Sequence, residues 1–419
     1  MGGERPARTA VWVACVGIGL LFLIRGATLP YFYPVFEHLT ALSYAEIAAL
    51  LSLYNLCQAV AAPAAGWYTD RTSVRFAVCT AMGFGALSFL TISQLPAFVS
   101  CALAMSTAGV ALVLAKIALN TLLVDNCSQE ALRGAIATRA ALLNVGSFAG
   151  NLTAFYTIEW LGYPPLLYLL AGLNLTLAVV FFAPSAARRV RPPTLDVGPP
   201  APALGRREFL ADSLRLLSVY LPYGCWGTII PKYVIDVYDS NGPIRLVYFT
   251  SLGTTLFGSY LVNGLLAGKL RERGFRWNWW IMLAQLCFCC GLFSLTFAGH
   301  RVVLAGAVLV FICGEIVMTP CLAEVAKRHA PPGRAGVYQG VLHLFEGGGR
   351  FVGSTVAFLL YAAVKDTENA GYFWPTLTGL FLIGFAAIQG LAYRLDGREC
   401  LGGIDRGCQP PPHPAAGWP

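Results

Sequence analysis

The sequence predicts an all-α membrane protein in which twelve transmembrane helices form two bundles of six. The first reason is composition: of 419 residues, 57% are hydrophobic and only 12% are charged, whereas a soluble domain carries about 25% charged residues. The second reason is a set of apolar runs of membrane-spanning length. The third is a repeat that relates the two halves of the chain.

The apolar runs set the helix count. A bilayer-spanning helix needs about 20 mostly apolar residues. Twelve runs reach this length, at residues 10–32, 46–67, 76–95, 98–122, 136–157, 164–183, 212–232, 247–268, 278–298, 302–325, 338–363 and 373–393. The basic, proline-rich stretch 184–211 is predicted as a cytoplasmic linker. It separates an N-terminal bundle (1–183) from a C-terminal bundle (212–396), and residues 397–419 are predicted to be a disordered cytoplasmic tail.

Basic residues in the loops predict the orientation. Arginine and lysine crowd the loops on one side of the predicted membrane, and the other side holds only Lys232, Arg245, Arg301 and Lys365. Cytoplasmic loops carry the excess of basic residues. Both termini are therefore expected in the cytoplasm, and we expect the protein in a bacterial inner (plasma) membrane.

Cysteine and histidine give no sign of a metal centre. The thirteen cysteines lie mostly inside apolar runs, where a free cysteine packs as a small apolar residue. Neither they nor the histidines have metal-ligand spacing. The sequence also lacks the phosphate-binding loop of nucleotide-driven pumps. We expect no metal and no cofactor.

The halves of the chain match at a nearly constant offset. The matching positions, with their offsets, are Gly26–Pro30 and Gly227–Pro231 (201), Gly66 and Gly268 (202), Lys116 and Glu315 (199), Asp125 and Glu324 (199), and Gly146-x-x-x-Gly150 and Gly349-x-x-x-Gly353 (203). This register indicates an internal duplication. Six helices followed by six in the same orientation predict halves related by an axis along the membrane normal.

The turn after the second predicted span is the most specific motif. Gly66-x-x-x-Asp70-Arg71-x-x-x-Arg75 resembles the signature that the major facilitator superfamily carries between its second and third helices. The resemblance covers about residues 10–395. It implies a secondary transporter that moves a small solute by alternating access through a central cavity lined by helices one, four, seven and ten.

The same resemblance implies that this turn latches one conformational state. A degenerate copy at Gly268, Glu272 and Arg273 is expected to form a weaker latch. The sequence departs from the family at Tyr68 and Ser73, where leucine and glycine are usual. It also lacks the family's antiporter signature, because Asn151 follows Gly150, so the direction of transport stays open.

The expected partner of Asp70 is either a nearby arginine or a helix N-terminus, where negative charge is stabilised. Asp125 and Arg133 lie on the next loop of the same side and are candidate partners.

Charged residues inside the predicted spans are the candidate transport path, because each costs about 2.5–3.5 kcal/mol at mid-bilayer and usually lines a cavity. Arg25 either faces the cavity or reaches the outer interface. Lys116 and Glu315 occupy equivalent positions in the two halves, so they either pair across the cavity, with Glu315 as a proton carrier, or extend separately toward the interfaces.

Glu346 and Arg350 stand four residues apart, which favours an ion pair within one helix, and His343 is one turn earlier. The neutral residues Asn55, Gln58 and Asn120 add polar surface to the expected path.

The leading hypothesis is a secondary active transporter of a small anionic or zwitterionic organic solute, coupled to protons, with export slightly favoured. Two cationic groups in the first half favour such a substrate. The expected partners are the solute, a proton and the lipid bilayer, without nucleic acid, and the expected state is a monomer. The alternatives are a non-transporting sensor or scaffold on the same fold and a polytopic membrane enzyme. The enzyme is disfavoured because the histidines show no catalytic or metal spacing.

Overall fold

The described part of the chain is entirely helical apart from its turns. The structure is a computed structural model that describes residues 4–127, 129–182, 207–238, 242–259, 277–331 and 334–396. Its α-helices, numbered α1 to α14 in chain order, are Glu4–Thr28, Phe32–Leu39, Tyr44–Arg71, Val74–Gln94, Phe98–Asn126, Gln129–Leu161, Tyr163–Phe182, Arg207–Tyr223, Ile229–Tyr238, Gly242–Ser259, Trp277–Ser294, Arg301–His329, Ala335–Val364 and Phe373–Asp396.

Nine helices in these ranges are long and apolar enough to cross a membrane, against the twelve spans that the sequence predicts. Three predicted spans do not qualify. Span 136–157 falls on α6, which carries Arg139 in its interior, and span 212–232 is divided between α8 and α9. Span 247–268 extends beyond α10 into residues outside the described ranges. An all-helical membrane protein is therefore confirmed.

Each half begins with a helix that is interrupted near the repeated segment. The helix α1 ends at Thr28 and the short helix α2 follows from Phe32, while α8 ends at Tyr223 and the short helix α9 follows from Ile229. The first break contains Pro30 and the second contains Gly227, and both residue types interrupt helical hydrogen bonding. At the offset of 201 the second break lies about five residues earlier than the first.

The repeated glycine pairs make the same close contact in each half. A Cβ atom added at Gly150 of α6 would overlap the backbone carbonyl of Leu23 in α1, and one at Gly353 of α13 would overlap that of Leu221 in α8. Absence of a side chain lets two helix backbones approach closely. Helix α1 is therefore packed closely against α6, and α8 is packed closely against α13.

The halves meet along α3 and α13. At one end, called here the Gly66 end, Gly66 of α3 lies against the backbone of Gly336 and Gly340 in α13. At the opposite end, called the Tyr44 end, the Tyr44 ring lies 6.5 Å from the Tyr361 ring, measured between centroids, and Lys365 Nζ lies 4.9 Å from the Tyr44 ring. Both ends of the interface are packed in this conformation.

Candidate functional site

Four buried side chains form an ionic cluster where the halves meet. This central cluster consists of Lys116 of α5 and His343, Glu346 and Arg350 of α13. Lys116 Nζ and Arg350 Nη2 each lie 2.6 Å from Glu346 Oε1. His343 Nδ1 contacts the other carboxylate oxygen. The Glu346 carboxylate therefore binds two cations and an imidazole.

The central cluster joins the halves inside a nearly dry environment. The side chain of Lys116 is 10% exposed, and that of Glu346 is 3% exposed. Removing one partner of a buried pair typically costs about 3–5 kcal/mol, because the other charge is left uncompensated. The Lys116–Glu346 pair is thus a strong constraint on any separation of α5 from α13.

The neutral polar residues predicted for the path lie around this cluster. Asn120 Nδ2 is 3.4 Å from His343 Nε2, and Asn55 Nδ2 donates to Ser354 Oγ at 3.4 Å. Gln58 Nε2 donates to Asn55 Oδ1 at 3.5 Å. Asn55 and Asn120 therefore carry the polar contact between the halves on either side of the ion pairs.

A pocket lies next to the central cluster, between the halves. The Arg25 pocket is lined by α1, α6, α8, α10 and α12, and its charged members are Arg25 and Glu315. Tyr223 donates its hydroxyl hydrogen to Glu315 Oε1 at 3.0 Å. The cavity volume is about 30 Å³, which is enough for one or two ordered water molecules.

Tyr223 connects the pocket to the central cluster. The Arg350 guanidinium lies 4.8 Å from the centroid of the Tyr223 ring and 5.3 Å from that of Tyr220. A cation over an aromatic face is attracted by the ring quadrupole. The tyrosine therefore contacts Glu315 through its hydroxyl and Arg350 through its ring.

At the Gly66 end, Asp70 caps the start of α13. Its Oδ1 accepts a hydrogen bond from the Gly336 amide at 3.0 Å, and its Oδ2 accepts one from the Val337 amide at 2.9 Å. The first amides of a helix have no intrahelical acceptor, and the positive end of the helix dipole favours a carboxylate. Of the two kinds of partner predicted for Asp70, the helix N-terminus is observed.

Comparison with known proteins identifies the family. A family model described as Major Facilitator Superfamily matches residues 14–354. The chain belongs to the Major Facilitator Superfamily. No curated protein matches the sequence significantly. The crystal structure of the human organic anion transporter MFSD10 (TETRAN) is similar in fold, with a TM-score of 0.65 and 16% identity, covering 92% of this chain and 100% of that one.

Membership of the Major Facilitator Superfamily makes this chain a multi-pass membrane transporter. The resemblance inferred from Gly66, Asp70 and Arg71 is confirmed. At 16% identity the structural likeness supports the shared fold.

Of the two alternatives left open for Lys116 and Glu315, the ion pair between them is not among the contacts that the structure describes. Lys116 Nζ pairs with Glu346, because α5 packs against α13 at this depth. Glu315 instead lines the Arg25 pocket. The predicted ion pair between Glu346 and Arg350 is observed.

The arginines of the superfamily turn stay within the first half. Arg71 lies over the Trp67 ring, 4.2 Å from its centroid. Arg75 donates to the backbone carbonyls of Phe181 at 3.2 Å and of Phe182 at the end of α7. The structure thus brings Gly66 and Asp70, but not these arginines, into contact with α13. The predicted second latch, Gly268, Glu272 and Arg273, lies outside the described residues, as does the side chain of Arg133.

Sequence reasoning missed two members of this region. Tyr223 follows a proline inside the predicted span 212–232. Nothing in its sequence position indicates that its hydroxyl contacts Glu315. Arg139 is 7% exposed and lies deep in α6. The signal for Arg139 was present, since an arginine stands inside the apolar run 136–157, but its place near the predicted helix start made it resemble an interfacial residue.

Proposed function

We propose that the protein is a secondary active transporter that moves a small anionic or zwitterionic organic solute by alternating access, coupled to protons. The observation that carries this proposal is that one pocket between the halves is lined both by Arg25, which has no ion-pair partner among the described residues, and by the Glu315 carboxylate. The proposal includes twelve spans in two bundles, cytoplasmic termini and a bacterial inner membrane, with export as the expected direction.

The substrate charge follows from Arg25. Its guanidinium lies 5.0 Å from the Phe22 ring centroid, and it makes no ion pair or hydrogen bond with any residue that the structure describes. The planar guanidinium presents a fork of donors that matches a carboxylate bidentately. A solute carboxylate entering the pocket would supply the missing partner.

The proton site follows from Glu315. Tyr223 holds one carboxylate oxygen, and the side chain borders the pocket that the solute must enter. Protonation would remove the negative charge that faces an anionic solute. Protonation of Glu315 and binding of the anion would then depend on each other, which couples the two fluxes.

Alternating access follows from the two levels at which the halves are joined. Asp70 holds α13 at the Gly66 end, and the Lys116–Glu346 pair holds it at mid-depth. Opening toward the Gly66 end requires both contacts to break. This conformation therefore corresponds to a state closed at that end.

The test is transport by the purified protein in proteoliposomes with an imposed pH gradient, using organic anions, zwitterions and cations. We expect the accumulation of the organic anion to follow the imposed pH gradient. Net flux of the anion is measured in both directions across the membrane. Glu315→Gln should abolish pH-driven accumulation while solute exchange without a gradient persists.

The matched control is Asp236→Asn, because Asp236 accepts a hydrogen bond from Tyr361 at 2.7 Å as Glu315 does from Tyr223 but lies outside the pocket. That variant should keep the pH response. An unchanged pH response in Glu315→Gln would contradict proton coupling through this residue, and no flux of any solute would favour a non-transporting sensor.

A further inference from the structure

Arg139 is a buried arginine of α6 that forms no ion pair with a residue the structure describes. It is 7% exposed, and its Nε has no hydrogen-bond acceptor among the described residues. The Glu346 carboxylate attracts Arg139 from beyond ion-pair distance, and that carboxylate already pairs with Lys116 and Arg350. A buried charge that is compensated only at a distance is costly. A residue kept in this condition in the resting protein indicates that a ligand supplies the counter-charge.

Arg139 lies on the same face of α6 as two residues that line the Arg25 pocket. Residues 139, 143 and 147 recur every four positions and share one face of α6, and Leu143 and Ser147 line the Arg25 pocket. Gly26, the residue after Arg25, lies against Ser147. Eight residues of helix rise about 12 Å, so the two arginine side chains start about 12 Å apart along the path.

The charges around this path do not balance. The described charged side chains between the pocket and the central cluster are Arg25, Lys116, Arg139, Arg350, Glu315 and Glu346. Four cations therefore face two carboxylates. Glu346 is already bound by Lys116 and Arg350, and Glu315 borders the pocket at the level of Arg25 rather than Arg139.

We propose that the site takes a small solute with two negative charges, with Arg25 binding one anionic charge and Arg139 the other. This inference rests on the proposed transport function and names the substrate class. A dianion brings the net charge of the path to zero, whereas a monoanion leaves one buried arginine uncompensated. The shared chemistry is two negative charges, as in a dicarboxylate or a phosphate monoester.

The first test needs no ligand. Thermal unfolding of the full-length protein in nanodiscs is measured for Arg139→Gln and for Arg215→Gln. Arg215 is the matched control, because it is also buried in the membrane domain but pairs with Asp212 at 2.9 Å. We expect Arg139→Gln to raise Tm, since an uncompensated charge is removed, and Arg215→Gln to lower it. A drop in Tm for Arg139→Gln would show that the arginine is structural and would overturn the proposal.

The second test compares ligands that differ by one charge. Calorimetric binding is measured for succinate and its monomethyl ester, and for glycerol phosphate and glycerol. We expect at least a tenfold preference for a dianion over its matched partner, lost in Arg139→Gln and restored in Arg139→Lys. Tighter binding of succinate assigns dicarboxylates, and tighter binding of glycerol phosphate assigns phosphate monoesters. Equal binding within both pairs, a preference unchanged in Arg139→Gln, or no binding at all would overturn the proposal.

Flux separates this inference from the proposed function. If the monomethyl ester is transported as fast as succinate, transport stands and the dianion site fails. If a dianion binds with the expected preference but no flux is seen in proteoliposomes, the dianion site stands and the transport proposal fails.

Discussion

Replacing Asp70 by asparagine should loosen the Gly66 end without unfolding either half. The carboxylate accepts two backbone hydrogen bonds, at 3.0 Å and 2.9 Å, from the start of α13. Asparagine has one acceptor oxygen and no charge, so it loses one bond and the favourable interaction with the helix dipole. From the usual net worth of one hydrogen bond and of a helix-end charge, the loss is about 1–2 kcal/mol. A free-energy difference of this size changes the ratio of the open to the closed state at the Gly66 end by a factor of roughly 5–30.

The assay is the distance across the Gly66 end in lipid. Spin labels at Phe76 of α4 and Arg328 of α12, both exposed, report the separation of the halves in a background whose other cysteines are replaced. We expect the ratio of long to short distances to rise about 5–30-fold in Asp70→Asn. In transport, turnover should fall more than substrate affinity, because the contact stabilises a conformation and does not touch the solute.

The control is a carboxylate with the same chemistry inside one half. Glu46 accepts a hydrogen bond from the Ser43 amide at 2.8 Å and caps α3 at the Tyr44 end. Glu46→Gln should leave the distance ratio unchanged, because the groups that donate to Glu46, the amide and the hydroxyl of Ser43, belong to the first half. An unchanged ratio in Asp70→Asn, or an equal change in Glu46→Gln, would refute the assignment of Asp70 to the joint between halves.

Two further predictions test the packing of the interface. Lys116→Met should destabilise the protein by about 3 kcal/mol, since it breaks a buried pair; a double-mutant cycle with Glu346→Gln in lipid should show coupling, and a simple sum of the single effects would contradict the pair. Gly66→Ala should shift the spin-label distances toward the open state and slow transport, because the added methyl overlaps the Gly336 carbonyl, whereas Gly83→Ala, with open space around it, should change neither; equal effects of the two variants would argue against a specific contact.

The family turn and the charges inside the predicted spans can be recognised from the sequence, because each is marked by local chemistry. A glycine, an aspartate and arginines between two apolar runs are visible without a structure, and so is any charge inside a span. Asp70 needs a helix N-terminus as partner, and that helix begins 265 positions later at Ala335. Local pattern alone therefore leaves the partner open.

The pairing of Lys116 with Glu346 rather than with its equivalent position has a physical explanation. Equivalent positions in two halves of a duplicated chain are related by a rotation axis, and they meet only if they lie close to that axis. Lys116 instead faces Glu346 on α13, which is not its equivalent. Offsets along the sequence therefore identify matching roles and do not identify contacts.

Arg139 was missed for a related reason. Its run begins at residue 136 by hydropathy, whereas α6 begins at Gln129. An arginine ten residues into a helix is about 15 Å from its start, which puts Arg139 deep in the structure rather than at a membrane surface.

The continuous helix α13 links several of these contacts along its length. It is a continuous rod of 30 residues, joined to α8 through Gly353, with Glu346 part-way along it and the amides that hold Asp70 at its tip. The arm from Glu346 to Ala335 is eleven residues, or about 17 Å. A tilt of about 10° around Glu346 moves the tip by roughly 3 Å, which is more than a hydrogen bond tolerates. A tilt of this size around Glu346 would therefore break the hydrogen bonds between Asp70 and the first amides of α13.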